Sequence, residues 1–350
     1  MRGRRRDMFR AVRAARLHQV RAPLSIDELP DPVAGPGELL VRVAYCGVCA
    51  SDLHVRDGVT PAGSLPQILG HEAAGTVMAD AEGFREGEWV ALFPGRWCGE
   101  CDPCRAGREN LCERGRFLGV DIDGAFAEAI AVPADGVTRI PDGVDPAQAA
   151  VASDAVATAF HALHRAGDLR GKRVAVFGAG GVGVHAVMLA KSLGAAWVVA
   201  VDADEVARER ALGLGADEAV DPRDGKPGRA VRELSGGGVD AALELIGDVE
   251  TMSQAAKSLG RGGRAVIVGL TPAELRLLPA AALVSSELEI VGSFGATRSE
   301  LEELLGMLAD GRLDLSRSIT HRLPLEDADR ALEMLRTREG HPLRIVLEIG

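Results

Sequence analysis

The stretch "VAVFGAGGVG", residues 174–183, joins a short apolar run to a helical one through Gly178, Gly180, Gly181 and Gly183. Glycines at such a junction permit a tight turn, let the backbone approach a pyrophosphate and let helix pack on strand, while the helix N-terminus attracts phosphate. A glycine-rich loop alone is weak evidence, and the neighbouring strand raises it. The next apolar run, "AWVVAVD", ends at Asp202, nineteen residues after Gly183, where an acid is expected on the adenosine ribose hydroxyls of a dinucleotide. A carboxylate there repels a 2′-phosphate, and "VDADEVA" adds Asp204 and Glu205 before its first base, Arg208. The spacing predicts dinucleotide binding, with NAD preferred over NADP.

Outward from this loop, "KRVAVFG", "AWVVAVD", "VDAALELIG" and "RAVIVGL" read as strands alternating with the helical "VGVHAVMLAKSLGA" and "VETMSQAAKSLG". That alternation predicts an α/β fold with a doubly wound parallel sheet. Residues 22–155 have a different texture. Short alternating runs such as "GELLVRVAYCG", "GEWVALF" and "AFAEAIAVP", punctuated by Gly, Pro and Asp, predict strands and loops. After residue 292 come two helical segments, "SELEELLGMLADG" and "LEDADRALEMLR", and a final strand, "LRIVLEI".

The chain has 350 residues, roughly two domains' worth, and is 47% hydrophobic, ample for buried cores. Its formal charge is -11; residues 1–21 hold eight Arg against one Asp, so the remainder carries about -18 by difference. A body that acidic argues against nucleic acid as a partner. No apolar run approaches the roughly 18 to 20 residues of a membrane span, and the Arg-rich start lacks a following apolar segment, so a cytoplasmic protein with no membrane partner is expected. Residues 1–7 read as a basic N-terminal extension upstream of a start at Met8.

Six cysteines are a poor disulfide framework for a cytoplasmic chain. Four of them, Cys98, Cys101, Cys104 and Cys112, have the spacing C-x2-C-x2-C-x7-C on a polar loop. Four thiolates close a tetrahedral zinc shell with no open position, which is a structural site. "YCGVCASDLH" and "GHEAAG" supply a sparser set. On their own, Cys49 and His71 read equally well as a buried cysteine and a core histidine, and a catalytic zinc needs a third protein ligand.

Taken together, "GVCASDLH", "GHEAAGTV", the four-cysteine loop, "GAGGVG" and "LRIVLEI" resemble the zinc-dependent medium-chain dehydrogenase/reductases, the alcohol dehydrogenase family, from about residue 8 to 350. The resemblance implies a GroES-like β-rich catalytic domain over 8–155, with the structural zinc lobe at 95–115, completed by 293–350, around a Rossmann domain at 156–292. It implies two zinc ions per chain, with Cys49 and His71 on the catalytic one. The family's third ligand lies just before the Rossmann domain and is commonly Cys; here "VASDAVATAFHAL" puts Asp154 there, a competent ligand, with Glu72 as the substitute. Cys46 is then a buried, uncoordinated thiol rather than half of a redox pair.

The resemblance further implies zinc-assisted transfer of a hydride between an alcohol, or its aldehyde or ketone, and NAD. Ser51 matches the hydroxyl that accepts the alcohol proton, and His54 the residue that passes it, by way of the nicotinamide ribose, to solvent. Asp52 is expected to fix the tautomer of His71. Thr158, Val182, Gly269 and Leu270 match positions at the nicotinamide end, and Arg344 matches a base that meets the pyrophosphate. His161, His164 and His185 are read as helix residues without a site role. Phe93, Trp97 and Leu118 are candidate pocket walls. A polyol or sugar-alcohol dehydrogenase is the rival within the family; the intact lobe and Asp154 favour a simple alcohol. A non-enzymatic NAD-binding zinc protein would be expected to lose the ligands and relay retained here. The family assembles as homodimers and homotetramers.

Overall fold

A computed structural model describes residues 11–350; the basic residues 1–7 and Met8 lie outside the described residues. The chain divides into two compact units, Met1–Asp154 with Thr297–Gly350, and Ala155–Ala296. Among the described residues no helix is long and apolar enough to cross a membrane.

The first unit is β-rich. Its main sheet runs Val137–Arg139, Trp89–Leu92, Glu72–Val77, Glu38–Val48, Arg344–Glu348 and Ile319–Pro324, with Ala129–Pro133 also paired to Glu38–Val48. Alternation in Glu38–Val48 buries Leu39, Val41 and Val43 while Arg42 faces water, the period-2 pattern of a half-buried strand. The C-terminal strand enters this sheet between Glu38–Val48 and the edge strand Ile319–Pro324, antiparallel to the former, with Ile345 opposite Val48 and Leu347 opposite Cys46. Its Ile345 and Leu347 join Val43, Val55, Leu69 and Phe126 in one core. The region read from sequence as strands and loops also holds α-helices: besides the four-residue Asp102–Arg105 in the cysteine loop there are two longer ones. Ala50–Asp57 starts where Cys49 and Asp52 form a capping box and stops at Gly58 in the left-handed conformation. Pro146–Val151 begins with Asp145 capping the Ala147 N–H. Both are too short and too polar or alanine-rich to give a clear periodic signal.

The second unit holds six parallel strands in the order Glu218–Val220, Trp197–Val201, Arg173–Phe177, Val239–Glu244, Leu259–Ile267 and Glu289–Gly292. Numbered along the unit this is 3-2-1-4-5-6, the Rossmann order, and it reverses at Arg173–Phe177, whose carboxyl end leads into the glycine loop. Val174, Val176, Val198, Val199 and Leu243 are fully buried, as the near-continuous apolar runs require.

Candidate active site and metal centres

The helix Ala50–Asp57 and the segment before strand Glu72–Val77 are tied together by one carboxylate. Asp52, fully buried, accepts from the Cys49 N–H at 2.9 Å and from the Gly70 N–H at 2.9 Å, and its Oδ1 lies 3.3 Å from His71 Nδ1. His71 thus turns Nε2 the other way, where Asp154 Oδ2 sits 3.4 Å off. The Cys49 thiol points at the same Asp154 oxygen from 3.8 Å. Asp154 lies in a single π-turn, Ala152–Val156, after helix Pro146–Val151. Such turns are rare and concentrate at functional sites.

Cys49, His71, Glu72 and Asp154 together offer four ligand atoms within 4.8 Å of one another. Tetrahedral zinc with bonds of about 2.0–2.3 Å requires N···O and S···O separations of about 3.4 and 3.6 Å. The observed 3.4 and 3.8 Å fit that shell. So does the charge. Burial opposes a charge on His71, but Asp52, then Asp154 and Cys49, outweigh it and hold the imidazole pKa well above its usual value. Donors that keep a proton on a buried ring are short of positive charge, and a divalent cation supplies it.

Glu72 is fully buried and its carboxylate is paired with Arg344, itself only 3% exposed. The pair reaches past Gly47 on the intervening strand, where a Cβ would fall 2.1 Å from Glu72 Oε2. Burial pushes the Glu72 carboxyl up to about 7 against the pull of Arg344. Cys46 is fully buried on the strand Glu38–Val48, its thiol pushed up by burial, and belongs to neither metal cluster. Ser51 Oγ lies 3.7 Å from Cys49 Sγ, and His54, three residues on along the same helix face, is exposed.

The second cluster is Cys98, Cys101, Cys104 and Cys112. Its sulfurs stand 3.5 Å (Cys98 to Cys112), 3.9 Å (Cys101 to Cys112) and 4.0 Å (Cys98 to Cys104) apart. Zn–S bonds of about 2.3 Å give tetrahedral S···S edges of about 3.8 Å. Chiefly the Glu100 backbone N–H, helped by that of Cys101 and by Arg114, lowers the Cys98 thiol to about 6, so a thiolate ligand forms readily.

In the second unit Gly178 takes φ +94°, and its N–H donates to Val201 O at 2.8 Å. The helix Gly183–Ser192, with Val182 at its N-cap, starts so close to the strand end that a Cβ on Gly183 would lie 1.7 Å from Gly178 O. A Cβ on Gly180 would project into open space, so its absence leaves room for a phosphate at a helix N-terminus. Asp202 accepts from the Ala179 N–H at 2.8 Å, bracing the loop. Gly269 approaches Gly247 so closely that a Cβ would come 2.1 Å from its nitrogen.

Residue-type reasoning missed Glu244, a fully buried acid at the carboxyl end of Val239–Glu244. Its Oε1 accepts from the Ile246 and Gly247 N–H groups at 3.0 and 2.9 Å and from Thr251 Oγ1 at 2.6 Å, fixing the turn that faces Gly269. The visible signal was an acid closing the apolar stretch 241–243 at the end of a strand.

The remaining candidates are dispersed. Thr158 is half-buried on helix Ala157–Ala166, which also bears His161 and His164. Leu270 is 80% exposed. His185 is buried within the helix Gly183–Ser192, and no histidine besides His71 enters a metal cluster among the described residues. Phe93 and Trp97 meet edge to face at 4.9 Å, and Leu118 belongs to the core of the first unit.

Two metal-fitting clusters and a dinucleotide loop on this topology find their counterpart in known proteins. Residues 35–142 match the alcohol dehydrogenase GroES-like domain family and residues 181–310 the zinc-binding dehydrogenase family. An alcohol dehydrogenase of Geobacillus stearothermophilus is 36% identical over 332 residues, covering 93% of this chain and 96% of its own. The chain belongs to the zinc-containing medium-chain alcohol dehydrogenase family. An L-threonine 3-dehydrogenase of Bacillus licheniformis is 31% identical over 92% of this chain and 94% of its own. The structure of an alcohol dehydrogenase from Thermus sp. ATN1 superposes with a TM-score of 0.91 at 34% identity, covering 97% of this chain and all of that one. Membership makes this protein a zinc-dependent, nicotinamide-linked dehydrogenase of a small-molecule substrate.

The close approach of Gly183 to Gly178 sets the turn between strand Arg173–Phe177 and helix Gly183–Ser192. Gly183→Ala is expected to shift the helix start at a cost of about 1–3 kcal/mol of overpacking and to weaken coenzyme binding by about tenfold. Coenzyme titration by fluorescence checks this, with zinc content expected to stay at the wild-type value.

Proposed function

We propose that this protein is an NAD-dependent zinc alcohol dehydrogenase that interconverts small alcohols with their aldehydes or ketones, in the cytoplasm, as a homodimer or homotetramer. The observation that carries the reading is the meeting of Cys49 Sγ and His71 Nε2 on Asp154 Oδ2, at 3.8 and 3.4 Å, while the neighbouring Glu72 is engaged by Arg344. Cys49, His71 and Asp154 would hold the catalytic zinc, leaving the fourth position to substrate, with Glu72 in reserve. Cys98, Cys101, Cys104 and Cys112 would saturate a structural zinc. When bound, the catalytic zinc supplies Lewis acidity that lowers the pKa of an alcohol oxygen, and NAD supplies the hydride acceptor.

The chain's own residues do the rest. Asp52 orients His71 through Nδ1, so that the ring presents Nε2 to the site. Ser51 Oγ would take the alcohol proton, and His54, exposed on the same helix face, would pass it on to water. Gly178, Gly180, Gly181, Val182 and Gly183 would hold the pyrophosphate, and Arg344 would offer it the donors that Glu72 leaves free. Asp202 would take the adenosine ribose, and Thr158, Gly269 and Leu270 would border the nicotinamide.

A panel of primary, secondary, aromatic and polyol substrates together with L-threonine, followed by NADH absorbance with and without a chelator, tests this. Turnover of a simple alcohol, lost on chelation, is expected. Turnover confined to polyols or to threonine would reassign the substrate, and silence with every substrate despite two bound zinc ions would remove the enzyme reading.

A further inference from the structure

We infer that Asp221 is a specificity-determining residue for the coenzyme: by engaging Arg208 and Arg223 it keeps both guanidinium groups from serving a 2′-phosphate, and so enforces NAD over NADP. The inference rests on the dinucleotide reading of the second unit. Strands Trp197–Val201 and Glu218–Val220 are parallel neighbours with Val201 opposite Val220, so Asp202 and Asp221 lie just past their carboxyl ends, side by side. The Asp202 N–H donates to Val220 O at 3.2 Å.

Arg208, the first base after Asp202, is the residue placed to reach a phosphate on the adenosine ribose. Its Nη1 instead donates to Asp202 O at 2.8 Å, and its Nη2 lies 3.1 Å from Asp221 Oδ2. Arg223 comes to the same carboxylate from the other side, its Nε and its backbone N–H each 2.9 Å from Asp221 Oδ1. The Arg223 side chain and backbone, with Arg208, hold the Asp221 carboxyl well below the usual range, so the charge persists at any working pH. Asp202 contributes repulsion of its own, but both of its oxygens already accept backbone N–H groups, from Ala179 and Asp204 at 2.8 Å each. Without Asp221, two bases beside the ribose site lose their carboxylate partner. With it, they are committed.

The test measures kcat/KM with NAD and with NADP for the wild type, Asp221→Asn, and Asp221→Asn combined with Arg208→Gln and Arg223→Gln; coenzyme Kd by fluorescence gives the same ratio should no substrate be turned over. Asn keeps the bond to the Arg223 N–H, and Asp221→Ser serves if Asn fails to fold. Asp221→Asn is expected to raise the NADP to NAD ratio by about tenfold or more, the scale of one charge-assisted hydrogen bond, and loss of both arginines to cancel most of the rise. A change below about threefold overturns the inference on that same scale. So does a rise that persists without the arginines, since the lost charge alone would then account for it. The wild-type ratio separately tests the NAD preference: a wild type that favours NADP defeats that preference, while the shift on substitution still decides the role of Asp221.

Discussion

Asp154→Ala is expected to bind about one zinc per chain where the wild type binds about two, and to lose on the order of 10³-fold in kcat/KM. Asp154 is the oxygen on which Cys49 and His71 converge, so its removal leaves two ligands, too few to retain the ion against water. Lewis acidity contributes several kcal/mol to such transition states, which sets the size of the rate loss. The four-cysteine cluster shares no residue with this site and is expected to keep its ion. Metal analysis by mass spectrometry after gel filtration, beside steady-state kinetics, reads both effects. Two ions retained in Asp154→Ala would transfer the ligand role to Glu72, and Glu72→Gln in that background would then release one.

Arg344→Met is expected to destabilise the first unit by about 3–5 kcal/mol, because it leaves the fully buried Glu72 carboxylate without its cation. Burial already pushes that carboxyl up to about 7 against the pull of Arg344. Adding Glu72→Gln removes the stranded charge, and the double variant is expected to recover most of the loss. Urea unfolding of the zinc-loaded protein followed by circular dichroism measures both. A single variant within about 1 kcal/mol of wild type, or a double variant no better than the single, would show that the pair does not hold the sheet there.

What sequence made legible was what local spacing encodes. Gly178 to Gly183 with Asp202 beyond them fits a single turn and its neighbouring strand, and the four cysteines fall within fifteen residues, so their meeting needs little of the fold. Asp154 was placed by resemblance, and its approach to Cys49 depends on a π-turn that no propensity rule announces. The Glu72 partner of Arg344 was unreadable for a different reason. The two residues are 272 apart in sequence, and only the register that sets Ile345 opposite Val48 and Glu72 opposite Gly47 brings them together. Arg208 read in sequence as the first base after a run of acids; its commitment to Asp221 requires knowing that Trp197–Val201 and Glu218–Val220 are neighbouring strands.

The C-terminal strand between Glu38–Val48 and Ile319–Pro324 also sets a timetable for synthesis. At about 5–20 residues per second, the ribosome takes about 15–60 s after releasing Val48 to deliver its partner Ile345. The second unit is fully translated within that interval and can condense first. Meanwhile the Tyr45–Val48 edge stays open, and any zinc taken up by the nascent chain before Arg344 emerges meets a Glu72 that still lacks its counter-charge. The four cysteines of the other cluster, by contrast, are all translated by residue 112, more than two hundred residues before Arg344.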